Sequence, residues 1–178
     1  YDARINHNNQ THKIIGTDTN EHHAHTLSGG DNVNVISGND GDDTIHGNGG
    51  DDTIFGGAGN DTIFGDAGHN AMSGGDGDDV IHAGIDDFSS TNLLDGVHSI
   101  DGGNGHDILE ISALAAFGTS EAAKVENIEV LALKDGADNG VGTTVTLSAD
   151  AVYGVTQVGG LEAHTLTITG DAADKVDL

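Results

Sequence analysis

A chain of 178 residues with 30 Asp plus Glu against 5 Lys plus Arg has a formal net charge of −25. Such a polyanion is a poor partner for nucleic acid, whose capture needs clustered Lys and Arg, and it repels itself unless cations intervene. The absence of Cys excludes disulfides and thiolate metal sites, 3% aromatics and 29 Gly exclude a large aromatic core, and no run approaches the ~20 apolar residues of a membrane helix.

The chain opens at Tyr1 without a signal-peptide pattern, which reads as a piece of a longer protein. Residues 1–28 are expected to form an N-terminal flank or cap. Its last stretch, Asn20 to Ser28, is a degenerate unit of the repeat that follows and keeps only Leu27 in place. His22, His23 and His25 offer imidazoles to a transition ion, but no Cys assists them, and a solvated loop is the favoured reading.

From Gly29 onward a nine-residue frame repeats. Gly56-Gly57-Ala58-Gly59-Asn60-Asp61-Thr62-Ile63-Phe64 sets it, and Gly38 to His46, Gly47 to Phe55, Gly74 to His82 and Gly102 to Glu110 fit it. Gly29 to Ser37 and Gly65 to Ser73 fit loosely, with Asn in place of Asp at position six. Position eight reads Leu27, Ile36, Ile45, Ile54, Ile63, Met72, Ile81 and, after an interruption, Leu109. One apolar residue in nine is too sparse for an amphipathic helix. Instead, positions seven to nine form a short strand with its middle side chain inward, and the Gly-rich positions one to six turn the chain back. Two repeats make one coil of a solenoid. One buried aliphatic side chain contributes ~1.5–3 kcal/mol, well short of the conformational entropy of nine ordered residues. A further source of stability is required.

That source is a cation. Carboxylate and carbonyl oxygens suit Ca2+ rather than copper or zinc, and Mg2+ would demand stricter octahedral geometry. Alternate turns share a side of the coil, so Asp43, Asp61 and Asp79 stack on one side, with Asn34, Asp52 and Asn70 on the other. Sites along the first side are expected to be tight, and those around Asp52 weaker or partly empty. Carbonyls at positions two and four complete the candidate ligand set: Asn39, Gly41, Gly57, Gly59, Gly75 and Gly77, with Asn48 and Gly50 in the Asp52 turn. Asp107 is a candidate whose partner turn is open. Asp42, Asp51 and Asp78, at position five, read as solvated or supporting charges rather than ligands.

These residues resemble the repeats-in-toxin (RTX) family of secreted bacterial proteins, whose signature is G-G-x-G-x-D-x-U-x with U a large apolar residue. Gly56 to Phe64, Gly74 to His82 and Gly102 to Glu110 match every fixed position. The resemblance implies an all-β fold, a right-handed parallel β-roll over residues 29–110 with calcium between adjacent turns. It also implies export through type I secretion machinery as an unfolded chain that folds outside the cell.

Between Ala83 and Asp101 the frame breaks, Gly74 and Gly102 being one residue further apart than three repeats. Asp86, Asp87 and Asp95 either bind a further ion there, or Phe88, Leu93, Leu94 and Val97 pack a loop against the roll; packing is favoured. Residues 111–178 are expected to be a β-rich capping segment. It has a short Ala-rich helix within Ser112 to Lys124, strands at Asn127 to Leu133, Thr143 to Leu147 and Thr165 to Thr169, and a single capped turn at Ser148 to Val152. The run "NIEVLAL", "TVTLSADAV", "LTITGDAADKVDL" resembles segments that follow the repeats in type I-secreted adhesins and surface-layer proteins. His46 and His82, at position nine, are expected to face outward. Thr44 and Thr62 share an outer face but are followed by Val80, which is too short a row for an ice- or sugar-binding array.

No nucleophile elbow, His-Glu-x-x-His helix or phosphate loop occurs, so no enzymatic activity is expected. The leading expectation is a calcium-folded module of a secreted adhesin or surface protein, with a cell-surface or extracellular-matrix contact. The alternative is an accessory module of a secreted lipase, protease or polysaccharide-modifying enzyme.

Overall fold

Each nine-residue unit has a short strand at its Thr-Ile-Phe-type segment, which favours the extended backbone, and a Gly-rich turn; in every second unit the strand runs on through the first positions of the next, as at Thr53–Ala58. A computed structural model of the chain describes residues 2–4, 12–16, 24–84, 86–88, 99–112, 124–134, 144–148, 157–160 and 165–169. One sheet runs β1 (Asp2–Arg4), β3 (Thr26–Ser28), β5 (Thr44–His46), β7 (Thr62–Phe64), β9 (Val80–Ala83), β11 (Ile108–Ser112), β13 (Val130–Lys134) and β15 (Gln157–Gly160). The second runs β2 (His12–Ile15), β4 (Asn34–Asp40), β6 (Thr53–Ala58), β8 (Ala71–Asp76), β10 (Ser99–Asn104) and β12 (Lys124–Glu126). Odd and even strands alternate along the chain and every pairing in both sheets is parallel, so the chain winds as a solenoid with one strand of each coil in each sheet. The strands β14 (Thr144–Ser148) and β16 (Thr165–Thr169) form a separate parallel pair. Among the described residues the only helical segment is the single 3-10 turn Asp86–Phe88.

The expected all-β parallel roll is therefore observed. The strands expected near the C-terminus are found as β13, β14 and β16, whereas Asn127–Glu129 form a turn leading into β13. The helix expected within 112–124 falls mostly outside the described residues, as do the packing residues Leu93, Leu94 and Val97, Asp95, and the turn after Ser148.

Position eight builds the core from two facing rows. Leu27, Ile45, Ile63, Ile81, Leu109 and Leu131 come from the first sheet, and Ile14, Ile36, Ile54, Met72, Ile100 and Val125 from the second; all are buried. Parallel stacking gives Ile14, Ile36, Ile45, Ile54, Ile63 and Ile81 each a neighbouring Ile one strand away, whereas Ile100 lies between Met72 and Val125. The interruption after Ala83 resolves differently from the spacing count. Met72 pairs with Ile100 and Ile81 with Leu109, and the position-six residues Asp79 and Asp107 bond across a separation of 28 residues where regular coils use 18. The strands on either side of the interruption are thus one coil apart, with 28 residues in place of 18, and Ile100 supplies the position-eight side chain that the linear frame omits.

Ile63→Ala should lower the unfolding free energy by about 2–5 kcal/mol in denaturant melts at saturating calcium. Thr53→Ala, on the outer face, should change it by under about 1 kcal/mol.

Candidate metal centre

The turns are tied coil to coil through the side chain at position six. On one side the His25 N–H donates to Asp43 Oδ1 (2.6 Å), the Asp43 N–H to Asp61 Oδ1 (2.7 Å), the Asp61 N–H to Asp79 Oδ1 (2.8 Å) and the Asp79 N–H to Asp107 Oδ1 (2.9 Å). The Asp107 N–H donates in turn to Glu129 Oε2 (2.7 Å). On the other side the Asn34 N–H donates to Asp52 Oδ1 (2.7 Å), the Asp52 N–H to Asn70 Oδ1 (2.9 Å) and the Asn70 N–H to Asp87 Oδ1 (2.8 Å). From Asp43, Asp52, Asp61, Asn70, Asp79, Asp87, Asp107 and Glu129 one oxygen reaches back to the coil before it and so has a structural task.

The second oxygen does not. Oδ2 of Asp43, Asp52, Asp61, Asp79 and Asp107 is buried without a hydrogen-bond partner. A buried, unpartnered carboxylate oxygen is costly, and four in file on one side, with Asp52 on the other, signal a missing partner of positive charge. Main-chain oxygens converge on the same gaps. A side-chain carbon on Gly38 would collide with both Asp43 Oδ2 and the carbonyl oxygen of Gly56, one coil on. The same holds for Gly56 against Asp61 Oδ2 and Gly74, and for Gly74 against Asp79 Oδ2 and Gly102. Position-two and position-four carbonyls project toward the following coil: Asn39 and Gly41 point at Gly57 and Gly59, which point at Gly75 and Gly77. Asn48 and Gly50 lie in the Asp52 turn, where the Gly50 carbonyl points at Gly68. Within one turn, then, these carbonyls and Oδ1 of the carboxylate address opposite neighbours. The carboxylate itself faces both ways, with Oδ1 bonded to the preceding coil and Oδ2 beside the position-one carbonyl of the following one. Glycine at position two is required by sterics as well: Gly57 has φ +128°, and any Cβ there would strike the Asn39 carbonyl.

The gaps are electrostatically unbalanced. Burial pushes the Asp61 carboxyl up to about 7, with the N–H of Asp43 opposing the shift and the neighbouring Asp79 and Asp43 adding to it. Burial likewise raises Asp79 and Asp52 to about 6, and it raises Asp43 and Asp107. A dication in the gap is the neutralising group this donor set fits, with hard oxygens from carboxylate and carbonyl. Among the described residues no three His, Asp or Glu side chains converge as a side-chain-only metal site; here one or two carboxylates would act together with main-chain oxygens.

Several readings gain a definite place. Asp107, whose partner turn was open, continues the ladder above Asp79. Asp87 is buried and takes the position-six place in the enlarged coil, accepting from the N–H groups of Asn70 and Gly84, both at 2.8 Å. Asp42, Asn60 and Asp78 form an outer ladder running the other way: Asp42 Oδ1 accepts from the Asn60 N–H (2.7 Å), Asn60 Oδ1 from the Asp78 N–H (2.9 Å) and Asp78 Oδ1 from the His106 N–H (2.9 Å), while on the other side Asp51 Oδ1 accepts from the His69 N–H (2.9 Å). His25 is buried at position six with Nδ1 3.0 Å from Asp43 Oδ1, so it belongs to the roll rather than to a solvated histidine loop. His46 and His82 stack face to face on Phe64, at 4.3 and 4.2 Å. Glu129 is the functional residue the repeat frame missed. Its signal was an acidic residue directly before an apolar strand, with the longer Glu side chain spanning a shortened turn.

Comparison with known proteins agrees with this geometry. The RTX calcium-binding nonapeptide repeat (4 copies) matches residues 28–63 and 55–87. Neither a curated protein nor a solved structure gives a match to the chain. The matched stretch covers the turns of Asn34, Asp43, Asp52, Asp61, Asn70 and Asp79, where the parallel coils and unpartnered carboxylate oxygens lie. Residues 28–87 are RTX calcium-binding nonapeptide repeats, and they form a calcium-binding β-roll module.

Proposed function

We propose that this segment is a calcium-driven folding module of a secreted adhesin or surface protein, with a structural rather than a catalytic role. The observation that carries the reading is the file of buried, unpartnered Oδ2 atoms at Asp43, Asp61, Asp79 and Asp107. Calcium supplies the positive charge that offsets their burial. The protein supplies the rest: the Asp side chains hold coil to coil through Oδ1, and the carbonyls of Asn39, Gly41, Gly57, Gly59, Gly75 and Gly77 complete the oxygen set. Asp52, with Asn48 and Gly50, offers a weaker site.

Extracellular calcium modules bind at ~10⁻⁴–10⁻³ M. The module would be empty and unfolded before type I export and would fill outside, where each site held at 100 times its dissociation constant adds ~2.7 kcal/mol. The adhesin reading draws on the "NIEVLAL" flank, in which Glu129 caps the Asp ladder and Leu131 continues the core. An accessory module of a secreted enzyme is the second reading, and the sequence on either side of the segment in its parent protein discriminates the two.

Circular dichroism during a calcium titration should show β-structure gained at sub-millimolar to millimolar calcium, with magnesium ineffective. Full β-structure in excess chelator would overturn the proposal. Asp61→Ala, which touches two gaps, should lower the number of calcium ions bound per chain in calorimetry; an unchanged stoichiometry removes Asp61 from the ligand set.

Protons should compete with calcium. The carboxyls of Asp61, Asp79 and Asp52 rise from 3.8 to about 7, 6 and 6 on folding. The folded state therefore binds more protons than the unfolded state between about pH 4 and 7, and the stability of the metal-free roll falls as pH rises through that window. In chelator, ellipticity should show more β-structure at pH 5 than at pH 7.5. The calcium midpoint should move to higher calcium as pH falls.

A further inference from the structure

The two sides of the roll carry different side chains at position six, and the difference has a chemical meaning. Asn70 accepts the Asp52 N–H through Oδ1 (2.9 Å), as an aspartate would. This fixes the orientation of the amide, because an N–H requires an oxygen opposite it. Nδ2 then occupies the place that Oδ2 takes in Asp61. Instead of remaining unpartnered it donates to the carbonyl of Gly65 (3.0 Å) and reaches that of Gly68 (3.4 Å), positions one and four of its own turn. Asn34 shares the nitrogen half of this arrangement, with Nδ2 donating to the Asn32 carbonyl and to Asp52 Oδ1 (3.1 Å), while its Oδ1 is buried without a hydrogen-bond partner. Asp87 completes the file with both oxygens engaged, one by the Asn70 N–H and one by the Gly84 N–H. Of the carboxylates on this side, Asp52 alone keeps an unpartnered buried oxygen.

We propose that the amide nitrogens of Asn34 and Asn70 are built-in substitutes for calcium, so that their turns close without metal and ion loading is confined to the Asp43–Asp61–Asp79–Asp107 side, with Asp52 the sole weak exception. The proposal rests on the calcium-binding reading above. A carboxylate at position six has no hydrogen to give and leaves its turn carbonyls to a cation, whereas an amide gives two hydrogens and adds no charge. The Asn side then acts as a metal-independent spine along which the calcium side assembles.

The test compares the wild-type chain with Asn70→Asp and Asn70→Ala, using calcium chloride alone as the ligand. Calorimetry should count one more calcium ion per chain for Asn70→Asp than for wild type. In excess chelator Asn70→Asp should melt roughly 5 °C or more below wild type and should recover in millimolar calcium, whereas Asn70→Ala should stay below wild type in both conditions. A second measurement serves if the metal-free chain shows no cooperative melt: amide hydrogen exchange at low calcium should be slower at Asn34, Asp52 and Asn70 than at Asp43, Asp61 and Asp79. If wild type binds calcium and Asn70→Asp binds the same number of ions, the substitution idea fails and the calcium reading stands. Equal exchange on the two sides likewise overturns it. If wild type binds no calcium, both fall.

Discussion

The coil-to-coil step of this roll hangs on one contact, the backbone N–H at position six donating to the position-six side chain of the next coil. It is a charge-assisted hydrogen bond wherever that side chain is Asp. It recurs at 2.7 Å between Asp43 and Asp61 and at 2.8 Å between Asp61 and Asp79. The bond survives the enlarged coil, where Asp79 meets Asp107 across 28 residues at 2.9 Å. The ladder contact is therefore independent of the number of residues between the two turns. The glycines follow from the same contact. Once the Asp is drawn back to the preceding coil, its second oxygen and the carbonyl of the next coil lie where a Cβ at position one would sit, and only Gly leaves room.

Using one oxygen structurally leaves the other buried and without a partner, and the chain shows more than one answer to it. Along Asp43, Asp61, Asp79 and Asp107 the carboxyls are raised chiefly by burial, and their neighbours include further carboxylates, so the gap attracts either protons or a cation. At Asn70 the answer is internal, an amide nitrogen on two carbonyls. At Asp87 it is the Gly84 N–H. The same backbone thus accommodates turns whose second position-six oxygen is unpartnered and turns in which that place is hydrogen-bonded, and the difference is set by single atoms at position six.

Much of this was legible in the sequence because the repeat period reports the coil directly. Ile36, Ile45, Ile54 and Ile63 announce the core one by one, and the parity of Asp43, Asp61 and Asp79 places them on one side. Legibility failed where the period changed. Ile14, Ile100, Val125 and Leu131 are core residues at the same structural position, but turns of altered length carry them out of the linear count. Direction was also hidden. Asp42 and Asp43 are adjacent in sequence and bond in opposite senses along the axis, Asp42 forward to Asn60 and Asp43 back to His25. Composition cannot distinguish two such carboxylates; the handing of successive side chains to opposite neighbours is a property of the turn backbone.

The ends of the ladder decide how far a calcium groove can extend. At the first rung His25 takes position six, a ring nitrogen 3.0 Å from Asp43 Oδ1 in place of a carboxylate. At the last, Asn127–Glu129 replace the six-residue Gly turn with three residues. Glu129 accepts the Asp107 N–H, the N–H groups of Glu129 and Val130 both return to the Asp107 carbonyl (3.2 and 2.9 Å), and Ile128 is buried. The sheet continues into β13, so the core is extended, but the Gly turn with its position-two and position-four carbonyls is gone. Gaps bounded by two complete Gly turns on this side are those between Asp43 and Asp61, Asp61 and Asp79, and Asp79 and Asp107. The Asp ladder is thus bounded by His25 at one end and Glu129 at the other, which carry the fold onward with different chemistry at position six.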